Sequence, residues 1–202
     1  MIKNLATLLI AAIPLFAMAN TIDGKVVAIA DGDTLTVLDS KNQQYKIRLA
    51  GIDAPEKSQP FGARSKENLS SLVFGKPVTI DWSKTDKYGR TIGKVIVAGR
   101  DVNLLQVRAG LAWHYKAYEQ EQSPADRALY AQAETDAHNR KAGLWQDANP
   151  IPPWDYRHGT GAAASVHQAP SAGACPCSGA AICTGPKGGH YCLTVGNKKR
   201  YK

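Results

Sequence analysis

The chain has 202 residues, of which 44% are hydrophobic, so it is long enough to bury a core of ordinary size. Lys and Arg number 25 against 17 Asp and Glu, which gives a formal net charge of +8. A basic balance is typical of proteins that meet polyanions, namely nucleic acid, anionic lipid or acidic glycan, and charge alone does not choose among them. Beyond the N-terminus no apolar run reaches the length of a membrane span, so we expect no stable membrane association of the mature chain.

The N-terminus has the three parts of a secretory signal peptide. Lys3 gives a positive start, residues 5–16 form an apolar core, and Ala17-Met18-Ala19 is a small-residue cleavage site. An uncleaved anchor is the alternative, and it is disfavoured because the chain turns polar immediately from Asn20. We therefore predict a signal peptide over residues 1–19 and a secreted or periplasmic mature protein.

The next part of the chain alternates between apolar and polar residues in short segments. The alternation predicts strands over residues 21–30, 34–38, 43–50, 78–82 and 91–97. The first three strands follow one another through very short connections, which implies an antiparallel meander. Helices are predicted over residues 62–74, 102–109 and 124–141, with Gly75 ending the first and Ser123 capping the third. Five short strands with inserted helices favour a β-barrel with helices, of the OB-fold type.

The C-terminal part has a different composition. We predict a barrel domain over residues 20–150, a Pro/Gly/Ala/Ser-rich linker over 151–174 and a basic tail module over 175–202. The tail contains all four cysteines of the chain, Cys175, Cys177, Cys183 and Cys192. Export favours disulfides between them, and a strained Cys175–Cys177 bridge is disfavoured, so each of these two is expected to pair with Cys183 or Cys192. A four-thiolate zinc site is the alternative.

The tail is also cationic. It has no acidic residue, and its cations are Lys187, Lys198, Lys199, Arg200 and Lys202. One interpretation is an electrostatic anchor on DNA that gains affinity by releasing counterions. The other is a solvated basic end without a partner. A run over residues 185–201 also resembles a small basic adaptor repeat, which implies a binding accessory.

Three acidic and basic motifs in the barrel region suggest phosphodiester chemistry. They are Asp31-Gly32-Asp33-Thr34, the segment 48–56 that runs from Arg48 through Asp53 to Glu56, and Lys87-Tyr88-Gly89-Arg90. Carboxylates suit a hard cation, and the planar fork of arginine matches phosphate oxygens. Together they are the parts of a metal-assisted phosphodiesterase.

In order and spacing, these motifs resemble the thermonuclease, or staphylococcal nuclease-like, family. Residues 103–112 are also similar to that family's second helix and the turn after it, so the resemblance covers about residues 20–147. It implies a five-stranded antiparallel OB barrel with about three helices. It also implies calcium-dependent hydrolysis of DNA and RNA with little sequence specificity, by 5′ P–O cleavage that leaves 3′-phosphates.

The resemblance assigns roles to individual residues. Asp33 and Asp53 would bind Ca²⁺ with the backbone carbonyl of Ala54, a position where the family often has threonine. Glu56 would be the general base or would orient the attacking water. Without the resemblance, acids beside Gly or Pro are more often ordinary turn residues.

The remaining assignments concern the substrate. Arg48 and Arg90 would clamp the scissile phosphate, although strand arginines are otherwise mostly solvated. Tyr88 and Tyr118 would stack on bases, and Lys116, which stands where the family often has tyrosine, could contact a terminal phosphate.

Alternative functions are a non-catalytic OB-fold module that binds nucleic acid and an adhesin for acidic surface polymers. The complete set of Asp33, Arg48, Asp53, Glu56 and Arg90 favours the enzyme. His114 is expected to pack rather than to catalyse, because the proposed chemistry needs no imidazole. We expect a monomer.

Overall fold

The computed structural model describes residues 20–159, 183–184, 190–193 and 199–201. The predicted signal peptide, most of the predicted linker, Cys175 and Cys177 lie outside the described residues. The described part of the chain groups into two compact units, which divide between Tyr156 and Arg157.

Five strands of the first unit form a closed barrel. β1 spans Asn20–Ile29, β2 Thr34–Leu38, β3 Gln44–Leu49, β5 Pro77–Thr85 and β6 Thr91–Val97. The antiparallel pairs are β1 with β2, β2 with β3, β1 with β5, and β5 with β6. A parallel pair of β3 with β6 closes the barrel. The predicted meander and the five-stranded OB-type barrel with helices are confirmed, and only the closing pair is parallel.

The period of two along the strands fills the barrel interior. In β3, Ile47 and Leu49 are fully buried, whereas Gln44 and Lys46, which precede them, are exposed. Val37 and Ile80 contribute from β2 and β5 in the same way. At roughly 1.5–3 kcal/mol for each large buried side chain, this alternation supplies the main driving force for closing the barrel.

Three longer helices follow the predicted boundaries closely. α1 spans Gly62–Val73, α2 Val102–Arg108 and α3 Pro124–Asn139. α1 ends before Gly75, whose positive φ of 73° favours glycine. The side chain of Ser123 caps α3 by accepting the Asp126 N–H at 3.1 Å, as the Ser-Pro-x-Asp pattern predicts.

Short elements complete the first unit. β4 (Ile52–Asp53) pairs with β8 (Trp113–His114), and β7 (Arg100–Asp101) pairs with the end of β6. Two 3₁₀ segments cover Lys116–Glu121 and Gly143–Gln146, and α4 covers Pro153–Arg157. The pairing of β4 with β8 matters for the site because it fixes Asp53 opposite Trp113.

The second unit contains a small antiparallel sheet. β9 (Cys183–Thr184) and β11 (Lys199–Tyr201) flank β10 (His190–Leu193). Tyr191 and Cys192 are buried. The pairing of the four cysteines stays a prediction. In the ranges that the structure describes, no helix has the length and apolar character needed to cross a membrane.

Candidate active site

Asp33, Arg48 and Asp53 meet near the start of β2, the end of β3 and the short strand β4. Asp33 lies in the turn before β2, Arg48 is near the end of β3, and Asp53 belongs to β4. Thr34 pairs with Arg48 across β2 and β3, and the Leu49 N–H donates to the Asp33 carbonyl at 2.8 Å. The register of the barrel therefore brings these three residues together.

The guanidinium of Arg48 bridges the two carboxylates. Its Nη1 lies 2.9 Å from Asp33 Oδ2, and its Nη2 lies 2.8 Å from Asp53 Oδ1. Nη1 also donates to the carbonyl of Ile52 at 2.9 Å. Because its two terminal nitrogens contact different carboxylates, the plane of the guanidinium is fixed, and its N–H donors point in defined directions.

Both carboxylates are buried. Asp33 is 6% exposed and Asp53 is 1% exposed. Burial raises the pKa of Asp33 to about 7, and the Arg48 guanidinium opposes this effect. Although the ion pair is short, it does not fully offset the loss of water around Asp33, whose charged form is also repelled by Asp31 and Asp53. This local excess of negative charge favours a bound cation.

Three hydrogen bonds orient Asp33. Its Oδ2 accepts the Ala54 N–H at 2.7 Å, and its Oδ1 accepts the Thr34 hydroxyl at 3.1 Å. The Asp33 N–H donates to Asp31 Oδ1 at 3.1 Å, so Asp31 acts as a turn residue, as its position beside glycine predicts. The Asp33 carboxylate is thereby fixed against the segment that carries Asp53 and Ala54.

A buried polar network, which the sequence analysis missed, supports the turn that carries Gly32 and Asp33. Gln106 of α2 donates from Nε2 to the Gly32 carbonyl at 2.6 Å and to the Ser65 carbonyl at 3.1 Å. A Cβ at Gly32 would lie 1.9 Å from Ser65 Oγ, so only glycine fits against α1. Gln106 and Ser65 are fully buried, and no local feature of the sequence separates this glutamine from an exposed one.

The predicted calcium ligands form an oxygen-only set. Asp53 and Ala54 are neighbours in the chain, and the Ala54 N–H donates a hydrogen bond to the Asp33 carboxylate. All three residues are buried. Across the described ranges, no three His, Cys, Asp or Glu side chains converge as a metal cage. A cation here would therefore need main-chain oxygen and water in addition to the two carboxylates. That donor set fits a hard cation that keeps part of its water shell.

Glu56 lies on the loop between β4 and α1. Its N–H donates to Gln59 Oε1 at 3.0 Å, and its carbonyl accepts the Gln59 N–H at 2.9 Å. Gln59 is 6% exposed. The loop that carries the predicted general base is thus fixed by a buried side chain, which the sequence analysis did not single out.

Arg90 lies at the other predicted clamp position, just before β6. Ile92 pairs with Arg48 in the parallel β3–β6 ladder, so Arg90 is two residues before the partner of Arg48. Asp86 Oδ2 accepts from Arg90 Nε at 2.8 Å and lies 2.7 Å from Nη2. The pKa of Asp86 is lowered: burial opposes the shift, but hydrogen bonds from Arg90 and from the Tyr88 N–H outweigh it.

The β5–β6 hairpin also presents Tyr88. Its side chain is 71% exposed, and the Arg90 guanidinium carbon lies 5.4 Å from the ring centroid. Gly89 has a positive φ of 76°, which closes the turn between them. An exposed ring beside a guanidinium is a combination that suits a nucleotide.

The predicted substrate residues Lys116 and Tyr118 lie on the 3₁₀ segment after β8. The Lys116 Nζ forms an ion pair with Glu134 at 2.7 Å, and Tyr118 is half-exposed with the Lys84 ammonium 5.4 Å from its ring centroid. Tyr115, which the sequence analysis passed over, joins Tyr118 in an aromatic cluster, with ring centroids 5.2 Å apart. His114 is 1% exposed and packs inside the unit.

Comparisons with known proteins agree with this arrangement. The family described as Staphylococcal nuclease homologue matches residues 46–147. A protein of Escherichia coli O157:H7 named uncharacterized endonuclease is 45% identical over 138 residues, which cover 68% of this chain and 86% of that protein. An uncharacterized endonuclease of Haemophilus influenzae is 45% identical over 133 residues, with 66% and 71% covered. The micrococcal nuclease of Shigella flexneri is 37% identical over 161 residues, with 75% and 88% covered. The chain therefore belongs to the staphylococcal nuclease homologue family.

Proposed function

We propose that this protein is an exported, calcium-dependent nuclease that hydrolyses phosphodiester bonds of DNA and RNA with little sequence specificity. One observation carries the proposal: a single arginine fork joins two buried carboxylates at one end of an OB barrel. Family membership and relatives named endonuclease or micrococcal nuclease support it.

The roles of the residues follow from their surroundings. Arg48 is fixed by Asp33, Asp53 and a main-chain carbonyl, and its remaining N–H donors would contact an oxygen of the scissile phosphate. Arg90 is fixed in the same way by Asp86, two residues before the partner of Arg48 in the ladder. Two fixed guanidiniums would stabilise the charge that grows on the phosphoryl oxygens during displacement.

Glu56 is assigned the proton transfer. It would accept a proton from the attacking water, or orient that water for attack on phosphorus opposite the leaving 5′ oxygen. The backbone contacts of Glu56 with Gln59 hold it one residue beyond Pro55 in a defined loop. Cleavage of the 5′ P–O bond leaves a 3′-phosphate product.

Asp33, Asp53 and the Ala54 carbonyl would hold the calcium ion. When bound, Ca²⁺ supplies positive charge that offsets the negative charge of the phosphate. Calcium fits this set better than magnesium does, because two carboxylates and a carbonyl on a turn do not impose octahedral geometry. The motif over residues 1–19 supports export to the periplasm or beyond.

A nuclease assay with defined metals tests the proposal. Purified protein should cleave single- and double-stranded DNA in millimolar Ca²⁺ and should lose activity with a calcium chelator. The matched control is Glu56→Gln, which replaces the carboxylate by a carboxamide of nearly the same size and so removes the base. Full turnover with Mg²⁺ or Zn²⁺ and none with Ca²⁺ would refute the calcium assignment. Binding of DNA without cleavage under every condition would instead favour the non-catalytic module.

A further inference from the structure

A segment after the third helix packs back on the barrel unit. We call residues 151–156 the strap. The Ile151 carbonyl accepts a hydrogen bond from Gln59 Nε2 at 2.6 Å, and the Tyr156 hydroxyl lies 3.1 Å from Ser58 Oγ. The strap therefore contacts two consecutive residues, Ser58 and Gln59, of the loop that carries Glu56. The matched family region ends at residue 147, so the strap lies outside it.

Gln59 connects the strap directly to the backbone of Glu56. Its Nε2 donates to the strap at Ile151, while its Oε1 accepts the Glu56 N–H at 3.0 Å. Gln59 is 6% exposed, so its own amide group is largely shielded from water. A shift of the strap would pull on the same amide group that fixes Glu56.

The strap is held at a second place by aromatic contacts. The Trp154 ring stacks on Tyr115, with centroids 5.4 Å apart and an interplanar angle of 22°. Trp154 also meets Trp113 edge to face, with centroids 5.7 Å apart. Trp113 is paired with Asp53 in the β4–β8 ladder. Through these contacts the strap joins the Glu56 loop to β8, the partner strand of β4, which carries Asp53.

We propose that the strap is part of the catalytic apparatus: Gln59 and Trp154 are positioning residues that set the placement of Glu56 relative to Asp53. This inference rests on the proposed nuclease function. Neither residue needs to touch the substrate for this role. A misplacement of about 1 Å at a catalytic group can cost on the order of a hundredfold in rate, so loosening the strap should be visible in kcat.

Four full-length single variants and the double variant Gln59→Met/Trp154→Ala test the inference. Gln59→Met keeps the size of the side chain and removes both hydrogen bonds, whereas Trp154→Ala removes the remote anchor without touching the loop. Trp154→Phe is the conservative rescue, because it retains a ring against Tyr115. Gln132→Met is the matched control, since Gln132 makes an exposed hydrogen bond to Asp136 on α3. For each variant, kcat and KM are measured on a single-stranded oligonucleotide at a temperature where thermal melts show it folded.

We expect Gln59→Met and Trp154→Ala each to lower kcat about tenfold, with KM within about twofold of wild type. The double variant should lose about tenfold rather than a hundredfold, because both changes act through one element. Trp154→Phe and Gln132→Met should match wild type.

Three results would overturn the inference while leaving the proposed function in place. They are a wild-type kcat in Trp154→Ala, a change confined to KM, and a double variant whose losses multiply. An inactive wild-type protein would refute the proposed function itself, and the inference would fall with it. If Gln59→Met does not fold, Trp154→Ala and its rescue still decide the question.

Discussion

The substitution Arg48→Lys isolates the fork of the guanidinium from its charge. Arg48 contacts two buried carboxylates and a main-chain carbonyl through two separate nitrogens. A lysine ammonium is a compact charge on a flexible stem, and it cannot occupy both positions at once. The variant therefore keeps the positive charge near Asp33 or Asp53 but loses the bridge between them.

The expected magnitudes follow from these contacts. One carboxylate loses a charged hydrogen bond, which should lower the free energy of unfolding by about 1.5–3 kcal/mol. The transition state loses a fixed donor, which should raise the activation free energy by roughly 2–4 kcal/mol. That range corresponds to a loss of about 30- to 900-fold in kcat/KM. The catalytic effect should exceed the effect on stability.

The assay compares Arg48→Lys, Arg90→Lys and a matched control, Arg100→Lys. Arg100 lies exposed on β7, so Arg100→Lys makes the same chemical change outside the proposed site. Initial cleavage rates and urea unfolding are measured on the same preparations. We expect a loss of comparable order at Arg48 and Arg90, and none at Arg100. Turnover near the wild-type level in Arg48→Lys would show that the fork is not used on phosphate.

Three further predictions concern positioning, stability and the tail. Asp86→Asn keeps a hydrogen-bond acceptor in the turn but removes the ion pair to Arg90. It should lower kcat about three- to tenfold while the melting temperature stays near that of wild type. An unchanged kcat would show that catalysis does not depend on holding Arg90 in place. Tyr130→Phe removes a hydroxyl that donates to Asp101 at 2.8 Å, and should lower the free energy of unfolding by about 1–2 kcal/mol in urea without altering cleavage. An unchanged urea midpoint would show that this bond adds nothing. Deletion of residues 159–202 should leave a folded, active enzyme whose DNA affinity, measured with Glu56→Gln in both forms, depends less steeply on salt. A slope smaller by up to about 4.5, or about 0.9 for each of the five tail cations, would support the anchor, and equal slopes would exclude it.

The strands and helices were predictable because their signals are local. The alternation of apolar and polar residues, as at Ile47 and Leu49, predicted the strands. Ser123 predicted the start of the third helix, and Gly75 predicted the end of the first. The boundaries of β2 and β6 agree with the prediction residue for residue. Periodicity reports which face is buried, and that is enough to define a strand in a small barrel.

The contacts that hold the site were not predictable in the same way. Gln106 meets the Gly32 carbonyl from 74 positions away, and Gln59 meets the Ile151 carbonyl from 92 positions away. Nothing local to Gln59 or Gln106 distinguishes either from an exposed glutamine. Their roles depend on which carbonyl the finished fold brings near, and that is a tertiary property.

On the substrate side, Tyr118 and Lys116 were assigned from the family resemblance, and their roles stay predictions. In the structure Lys116 is paired with Glu134, and the rings of Tyr115 and Trp154 form a stacked pair, neither of which the sequence indicated. An offset along a 3₁₀ segment does not say which aromatic ring faces its neighbours, because the segment contains a non-helical residue at Tyr118.

The charged motifs were predictable from the sequence, for a physical reason that does not apply to the neutral positioning residues. A buried carboxylate is costly unless something compensates it, so Asp33, Asp53 and Arg48 can be buried only as a set. Their spacing in the sequence is therefore constrained by the β2–β3 register and the turn to β4, and it is visible before folding. A neutral amide such as Gln59 can be satisfied by any nearby carbonyl, which leaves no fixed spacing in the sequence. Residues that hold a site with charge thus appear as motifs, whereas residues that hold it with neutral hydrogen bonds appear only in the fold.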